Sequence, residues 1–160
     1  MKAPKTKSAA NDSPTQQIDS FLAKYTPKME KLARAALAKM RKRLPNATEL
    51  VYDNYGALVF GFGPNERPSD AVFSVALYPD HAALCFLQGA KLPDPHKRLR
   101  GSGNVVRNVR VDDVSVLDDP QVVTLIDEGL RRAKVRMDPK QERKLVIRSI
   151  SAKQRPRRPA

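Results

Sequence analysis

Few residues of this chain could make or break covalent bonds: two histidines, His81 and His96, and one cysteine, Cys85. A nucleophile needs a base within hydrogen-bond reach, and no Ser–His or His–carboxylate motif with a recognisable context supplies one. Neither histidine has a second metal ligand at local His/Cys spacing, which argues against zinc. Both read as exposed, titrating surface groups. Cys85 stands inside an apolar run and reads as a buried, inert thiol. The chemistry left is binding, not catalysis.

Three sets of residues could bind. Asp112, Asp113, Asp118 and Asp119, with Asp127 and Glu128 beyond them, form the one acidic concentration, and hard cations prefer such oxygen ligands. The plainer duty of Asp118 and Asp119 is to open a helix, where a carboxylate opposes the dipole. Gly101-Ser102-Gly103 follows Lys97, Arg98 and Arg100, and successive backbone N–H groups in such a turn can form an anion nest. It can equally be only a turn. With that turn, Tyr52, Asn54 and Gln88 could line a small-ligand cleft where a long loop crosses a sheet, or could satisfy backbone groups of that loop. Gly61-Phe62-Gly63-Pro64 lacks the third glycine and the following helix of a dinucleotide fingerprint, and reads as a strand end.

The third set is Lys153, Arg155, Arg157 and Arg158, the strongest polyanion signal in the sequence. If all four met duplex phosphates, log K against log salt would slope by roughly −3.6. No aromatic residue interleaves with them, so stacking of single-stranded bases is not expected, and contact would be blind to sequence.

The elements that must position these groups follow from spacing. Ser13-Pro14-x-Gln16 is a capping box with proline at the first helical position, followed by Ile18, Phe21, Leu22 and Tyr25 as one apolar stripe. Thr26-Pro27 starts a second helix to about Leu44. Its Met29, Leu32, Ala33, Ala36, Leu37, Met40 and Leu44 share one side, opposite Lys28, Lys31, Arg34, Lys39, Arg41 and Lys42. That basic side could dock a polyanion, but any amphipathic helix on a sheet shows the same pattern. Short apolar runs bounded by turn formers predict strands near 50–55, 57–62, 71–78, 82–88 and 104–111. The run at 82–88 is apolar on both faces and predicts a central strand covered on both sides. Asp94-Pro95 predicts one helical turn through Leu99. Asp119-Pro120 caps a third helix, and Leu145-Val146-Ile147 could form a last short strand.

Helices, then consecutive strands, then a helix predict an α+β domain: an antiparallel sheet of about five to six strands with N-terminal and C-terminal helices packed on it. No helix-length segment separates the middle strands, which excludes parallel pairing among them. Residues 1–13 read as a disordered basic lead-in, 14–150 as the domain and 151–160 as a disordered basic tail with nothing to bury. At 160 residues the chain is one domain long.

Of the net charge of +13, residues 1–50 carry +7, 51–130 carry −4 and 131–160 carry +10. This asymmetry suggests a polyanion such as nucleic acid as partner, against the plainer reading of solvated faces. A single cysteine, no apolar run near the ~20 residues of a membrane span and no secretory signal together predict a cytoplasmic protein with no membrane partner.

The run Val51-Tyr52-Asp53-Asn54-Tyr55-Gly56-Ala57-Leu58-Val59-Phe60-Gly61-Phe62-Gly63-Pro64, then Glu66-Arg67-Pro68-Ser69-Asp70, resembles the YdhG-like domain family of bacterial proteins. Phe86-Leu87-Gln88-Gly89-Ala90, Leu92-Pro93-Asp94-Pro95, Gly101-Ser102-Gly103-Asn104 and the ending from Ser151 to Pro159 continue the likeness, which spans about residues 16–158. The resemblance implies a frataxin-like α+β fold, no catalytic motif, and an unknown function, with intracellular iron carriage suggested for some relatives. Frataxins present an acidic first helix to iron, whereas the helix at 28–43 here is basic. Two expectations result. The first is a non-enzymatic protein without cofactor whose tail contacts nucleic acid or another polyanion. The alternative is an iron or small-ligand carrier using Asp112, Asp113, Asp118 and Asp119.

Overall fold

In the computed structural model, which describes residues 12–160, each of the three helices opens on a polar cap followed by proline. Helix α1 (Pro14–Ala23) starts on the complete Ser13–Gln16 capping box. Helix α2 (Pro27–Arg43) starts on Thr26, whose hydroxyl accepts from the Met29 amide at 3.2 Å. Helix α3 (Pro120–Arg131) starts on Asp119, which accepts from the Gln121 amide at 2.9 Å. Each cap satisfies an amide the helix leaves unpaired and is worth about 1 kcal/mol.

The strands are β1 (Thr48–Asp53), β2 (Leu58–Gly63), β3 (Phe73–Leu77), β4 (Ala82–Phe86), β5 (Arg107–Val111) and β6 (Lys144–Ile150), in one sheet of order β5-β4-β3-β2-β1-β6. The first five run as an antiparallel meander. The all-antiparallel expectation fails at β6, which pairs parallel with β1. After β5 the chain passes through a 3-10 turn (Val114–Asp118) and α3 before it returns to the opposite sheet edge. There Asn46 and Gln141 bond reciprocally, Asn46 Nδ2 to the Gln141 carbonyl at 2.6 Å and Gln141 Nε2 to the Asn46 carbonyl at 3.1 Å. This starts β6 at the same end as β1, and a strand starting there must run parallel.

Alternation along the strands sends Val51, Phe60, Val75, Leu84 and Val109 to one face in register. They join Leu22, Leu37, Met40 and Ile126 from the helices in one buried cluster. Each such side chain contributes about 1.5–3 kcal/mol on burial. Strand β4 is internal, as its sequence requires, but only Ala82, Leu84 and Phe86 enter that cluster. Ala83 and Cys85 lie on the other face with Ser74 and Ala76, outside that cluster; Ala83, Ala76 and Ser74 are nevertheless buried there and Cys85 is half-buried. Burial pushes the half-buried Cys85 thiol up, with a hydrogen bond to Ser74 opposing it.

The helical turn expected at Asp94-Pro95 forms earlier, as a 3-10 turn at Gly89–Lys91. The Asp94 carboxylate caps a loop instead, accepting from the Arg98 and Leu99 amides, each at 2.9 Å. Among the described residues no helix is long and apolar enough to cross a membrane.

Candidate functional site

The four aspartates proposed for metal do not converge. Asp112 pairs with Arg110 Nε at 2.7 Å, and Asp113 accepts from the Ser115 amide at 2.8 Å. Asp118 binds Lys39 at 2.7 Å and Arg43 at 3.4 Å. Asp119 binds Arg98 at 2.7 Å while it caps α3. Lys39 chiefly holds the Asp118 carboxyl below the usual range, and Arg98 that of Asp119. Each carboxylate is committed to a cation or a backbone amide, and no group of three metal-ligating side chains occurs among the described residues. Asp118 ties the 3-10 turn to α2, and Asp119 ties the start of α3 to the loop after β4.

The proposed cleft set is also dispersed. Gln88 lines a cleft with Lys91 and Arg132. Asn54 sits at the β1–β2 hairpin, and Tyr52 lies on the second sheet face beside Gly61. Gly101 takes a positive φ of 119° and Ser102 is exposed. The carbonyl of Gly103 accepts from Arg107, and of the three cations before the turn Arg98 is drawn away to Asp119. His81 is ordinary hairpin furniture: its Nδ1 lies 2.8 Å from Asp80, and its ring stacks on Tyr78 at 4.6 Å.

The tail is where the sequence expectation changes most. Residues 151–160 do bury something, so the reading of a free disordered segment is corrected. The Ser151 amide donates to the Asp53 carbonyl at 2.8 Å, and the Arg155 amide to the Tyr55 carbonyl at 2.8 Å. Gln154 Nε2 donates to the Asp53 carbonyl at 3.2 Å, while its Oε1 accepts from Lys24 Nζ at 3.1 Å. Arg157 is only 4% exposed. Its Nη2 donates to Asp53 Oδ1 at 2.9 Å and to the Asn54 carbonyl, and its guanidinium lies 5.9 Å from the centre of the Tyr25 ring. Asp53 is itself 1% exposed, with Lys24 Nζ 3.5 Å from Oδ2. Burial pushes the Tyr25 phenol up to about 12, with the Arg157 charge opposing. The Tyr25 hydroxyl donates to the Leu77 carbonyl at 2.9 Å.

Arg157 is therefore an anchor and is removed from the set of phosphate contacts. Lys153, Arg155 and Arg158 remain exposed around it. The anchor seats the Arg155 guanidinium 5.4 Å from the ring centre of Tyr55, which is 48% exposed at the hairpin tip. Tyr55 is the residue the sequence reading missed: it stands 100 positions from Arg155, and only the fold brings them together. The one available signal was an aromatic beside a glycine in a hairpin turn, where a ring has no core to enter.

Pairing is partial in both basic regions. On α2, Arg34 binds Asp19 and Glu30, Lys39 and Arg43 share Asp118, and Arg41 makes a two-pronged pair with buried Glu49, while Lys28, Lys31 and Lys42 meet no carboxylate within ion-pair distance among the described residues. In residues 131–160, Arg131, Arg132, Lys144 and Arg157 are paired, and the remaining cations, Lys153, Arg155 and Arg158 among them, meet no carboxylate among the described residues. The uncompensated charge is concentrated in this last part of the chain.

No protein-family model, no curated protein and no solved structure matches the chain. The junction of hairpin and tail is thus read from its own geometry.

Proposed function

We propose that the chain is a YdhG-like, non-enzymatic binding protein that contacts single-stranded nucleic acid at the junction of the β1–β2 hairpin and the tail. In this reading the layer of helices on one face of the sheet is the frataxin-like part of the fold. The observation that carries the proposal is the exposed Tyr55 ring with the Arg155 guanidinium 5.4 Å from its centre, in a segment whose Lys153 and Arg158 are also exposed. An aromatic face beside unpaired cations is what single strands require: the ring stacks a base of any identity while the cations meet phosphates. The +10 charge of residues 131–160 supports the same partner by drawing in a polyanion over a longer range. Contact of this kind has no base readout, which keeps it blind to sequence.

The alternative of iron carriage by Asp112, Asp113, Asp118 and Asp119 gains no support from the geometry, because each of these carboxylates already has a partner.

The test is fluorescence anisotropy of a labelled oligothymidylate. Tyr55→Ala is expected to weaken binding by about 1–3 kcal/mol, the worth of one stacked base, and Tyr55→Phe to retain it. Equal affinities for wild type and Tyr55→Ala would remove the stacking platform from the account.

A further inference from the structure

The two edges of the sheet are not alike. At β5, Arg100 and Asn108 exchange both backbone hydrogen bonds, at 2.7 and 3.0 Å, so the loop after β4 covers part of that edge. At β6, among the described residues, the strand backbone bonds only to residues 47–53 on its inner side. In a parallel ladder the N–H and C=O of one residue point to the same side, and that side alternates along the strand. The Lys144 amide donates to the Ala47 carbonyl at 3.3 Å and the Ser151 amide to the Asp53 carbonyl at 2.8 Å. Lys144, Val146 and Ser149 therefore face β1, while Leu145, Ile147 and Ile150 face outward. The register shifts between Ile147 and Ser149, which makes Arg148 the extra residue of a bulge. Leu145 to Ile147 is thus a short regular stretch whose two outward residues present free amides and carbonyls, the template with which an added strand pairs.

The side chains decide what kind of strand fits. Leu145, Val146 and Ile147 are half-buried, and Ile150 is 52% exposed. Lys144 flanks the stretch on one side, in an exposed pair with Glu66 that costs little to share. On the other side Arg148 is exposed and, like Arg143, meets no carboxylate within ion-pair distance among the described residues. A second copy joined by pairing Leu145 with Ile147 would set Lys144 directly opposite Arg148, and like charges in that position repel. The complement is a strand with an apolar centre and carboxylates four residues apart.

We infer that the outer edge of β6 receives an extended acidic segment of another protein, hydrogen-bonded at Leu145 and Ile147 with its carboxylates opposite Lys144 and Arg148. Backbone bonds supply the attachment, and the two cations select the charge of the partner. The bulge at Arg148 limits the added strand to a few residues, because beyond it the outward groups fall out of step. This edge shares no residue with the hairpin–tail junction, and the two readings stand or fall separately.

The experiment is an amide NMR titration of the full chain with the peptide acetyl-Glu-Thr-Val-Thr-Glu-amide, whose side-chain order reads the same in both strand directions. The same peptide with Lys in place of Glu, and an oligothymidylate, serve as controls. Saturable shifts and slowed hydrogen exchange at Leu145 and Ile147 are expected for the Glu peptide alone. Arg143→Glu with Arg148→Glu, both exposed, should weaken the Glu peptide by about tenfold and let the Lys peptide bind. Ile147→Pro removes an outward amide that β1 does not use, so it should abolish the shifts while the β1–β6 ladder persists. Sedimentation should show a monomer. Shifts that do not saturate or that centre elsewhere, equal binding of the two peptides, the same shifts with oligothymidylate, indifference to the charge reversal, or a dimer broken by Ile147→Pro would each overturn the assignment. If Ile147→Pro fails to fold, the charge reversal decides alone.

Discussion

Arg157 and Arg155 are two positions apart in a segment whose composition treats them alike, yet the fold gives them opposite duties. Arg157 is 4% exposed and neutralises an aspartate that is 1% exposed, whereas Arg155 lies over a surface tyrosine. Replacing one partner of a buried pair leaves the other charge uncompensated. Arg157→Met is therefore expected to cost about 3–5 kcal/mol in urea unfolding, while the double change Asp53→Leu with Arg157→Met recovers most of the loss. A single variant as stable as wild type would show that the anchor does not hold. Tyr25 gives a second residue-scale prediction. Its folded phenol is raised to about 12 from an ordinary value near 10, chiefly by burial. A raised folded value means that stability is fully present below pH 10 and is lost as pH climbs toward about 12, because the unfolded phenol ionises first. Ultraviolet titration of tyrosinate should show a last step that disappears in Tyr25→Phe.

At the scale of elements, the features legible in sequence are the ones that depend on near neighbours. Ser13-Pro14, Thr26-Pro27 and Asp119-Pro120 each announce a helix start, because a cap contacts amides only two or three residues away. The hairpins β1–β2 and β3–β4 were legible for the same reason, being joined by connections of four residues. The partner of β6 was not, since nothing in Leu145-Val146-Ile147 states that Asn46 and Gln141 will bond across 95 positions. Close backbone approach is equally silent. A Cβ on Gly89 would stand 2.6 Å from Arg107 Cβ, and one on Gly63 2.8 Å from Ala71 Cα. Both neighbours are backbone or next to it and cannot swing aside. Gly89→Ala and Gly63→Ala are each expected to lower stability by about 1–3 kcal/mol, as overpacking does, measured by thermal or urea unfolding. The ion pairs that join the entry to α3 to α2, through Asp118, and to the loop after β4, through Asp119, respond to acid. Asp118 and Asp119 have depressed carboxyls, so their contribution is present at neutral pH and fades as pH falls through their folded values. Hydrogen exchange in the first turn of α3 should accelerate selectively on acidification, and Lys39→Gln should blunt that response.

The whole molecule is a mildly acidic middle bound to a strongly basic last segment, and the sequence displays that split plainly. What it does not display is that the basic segment is fastened to the hairpin, because the fastening carboxylate, Asp53, lies 104 residues from Arg157. Deleting residues 152–160 would therefore confound two effects, the loss of binding cations and the loss of a structural anchor. Neutralising Lys153, Arg155 and Arg158 while Arg157 stays in place separates them. The most direct measurement is the salt dependence of oligothymidylate binding by wild type and by this triple glutamine variant. Each phosphate contact on a single strand contributes about −0.7 to the slope of log K against log salt, so the triple variant should flatten it by about 2 with its unfolding midpoint unchanged. Parallel salt plots for the two proteins would contradict nucleic-acid contact at this junction.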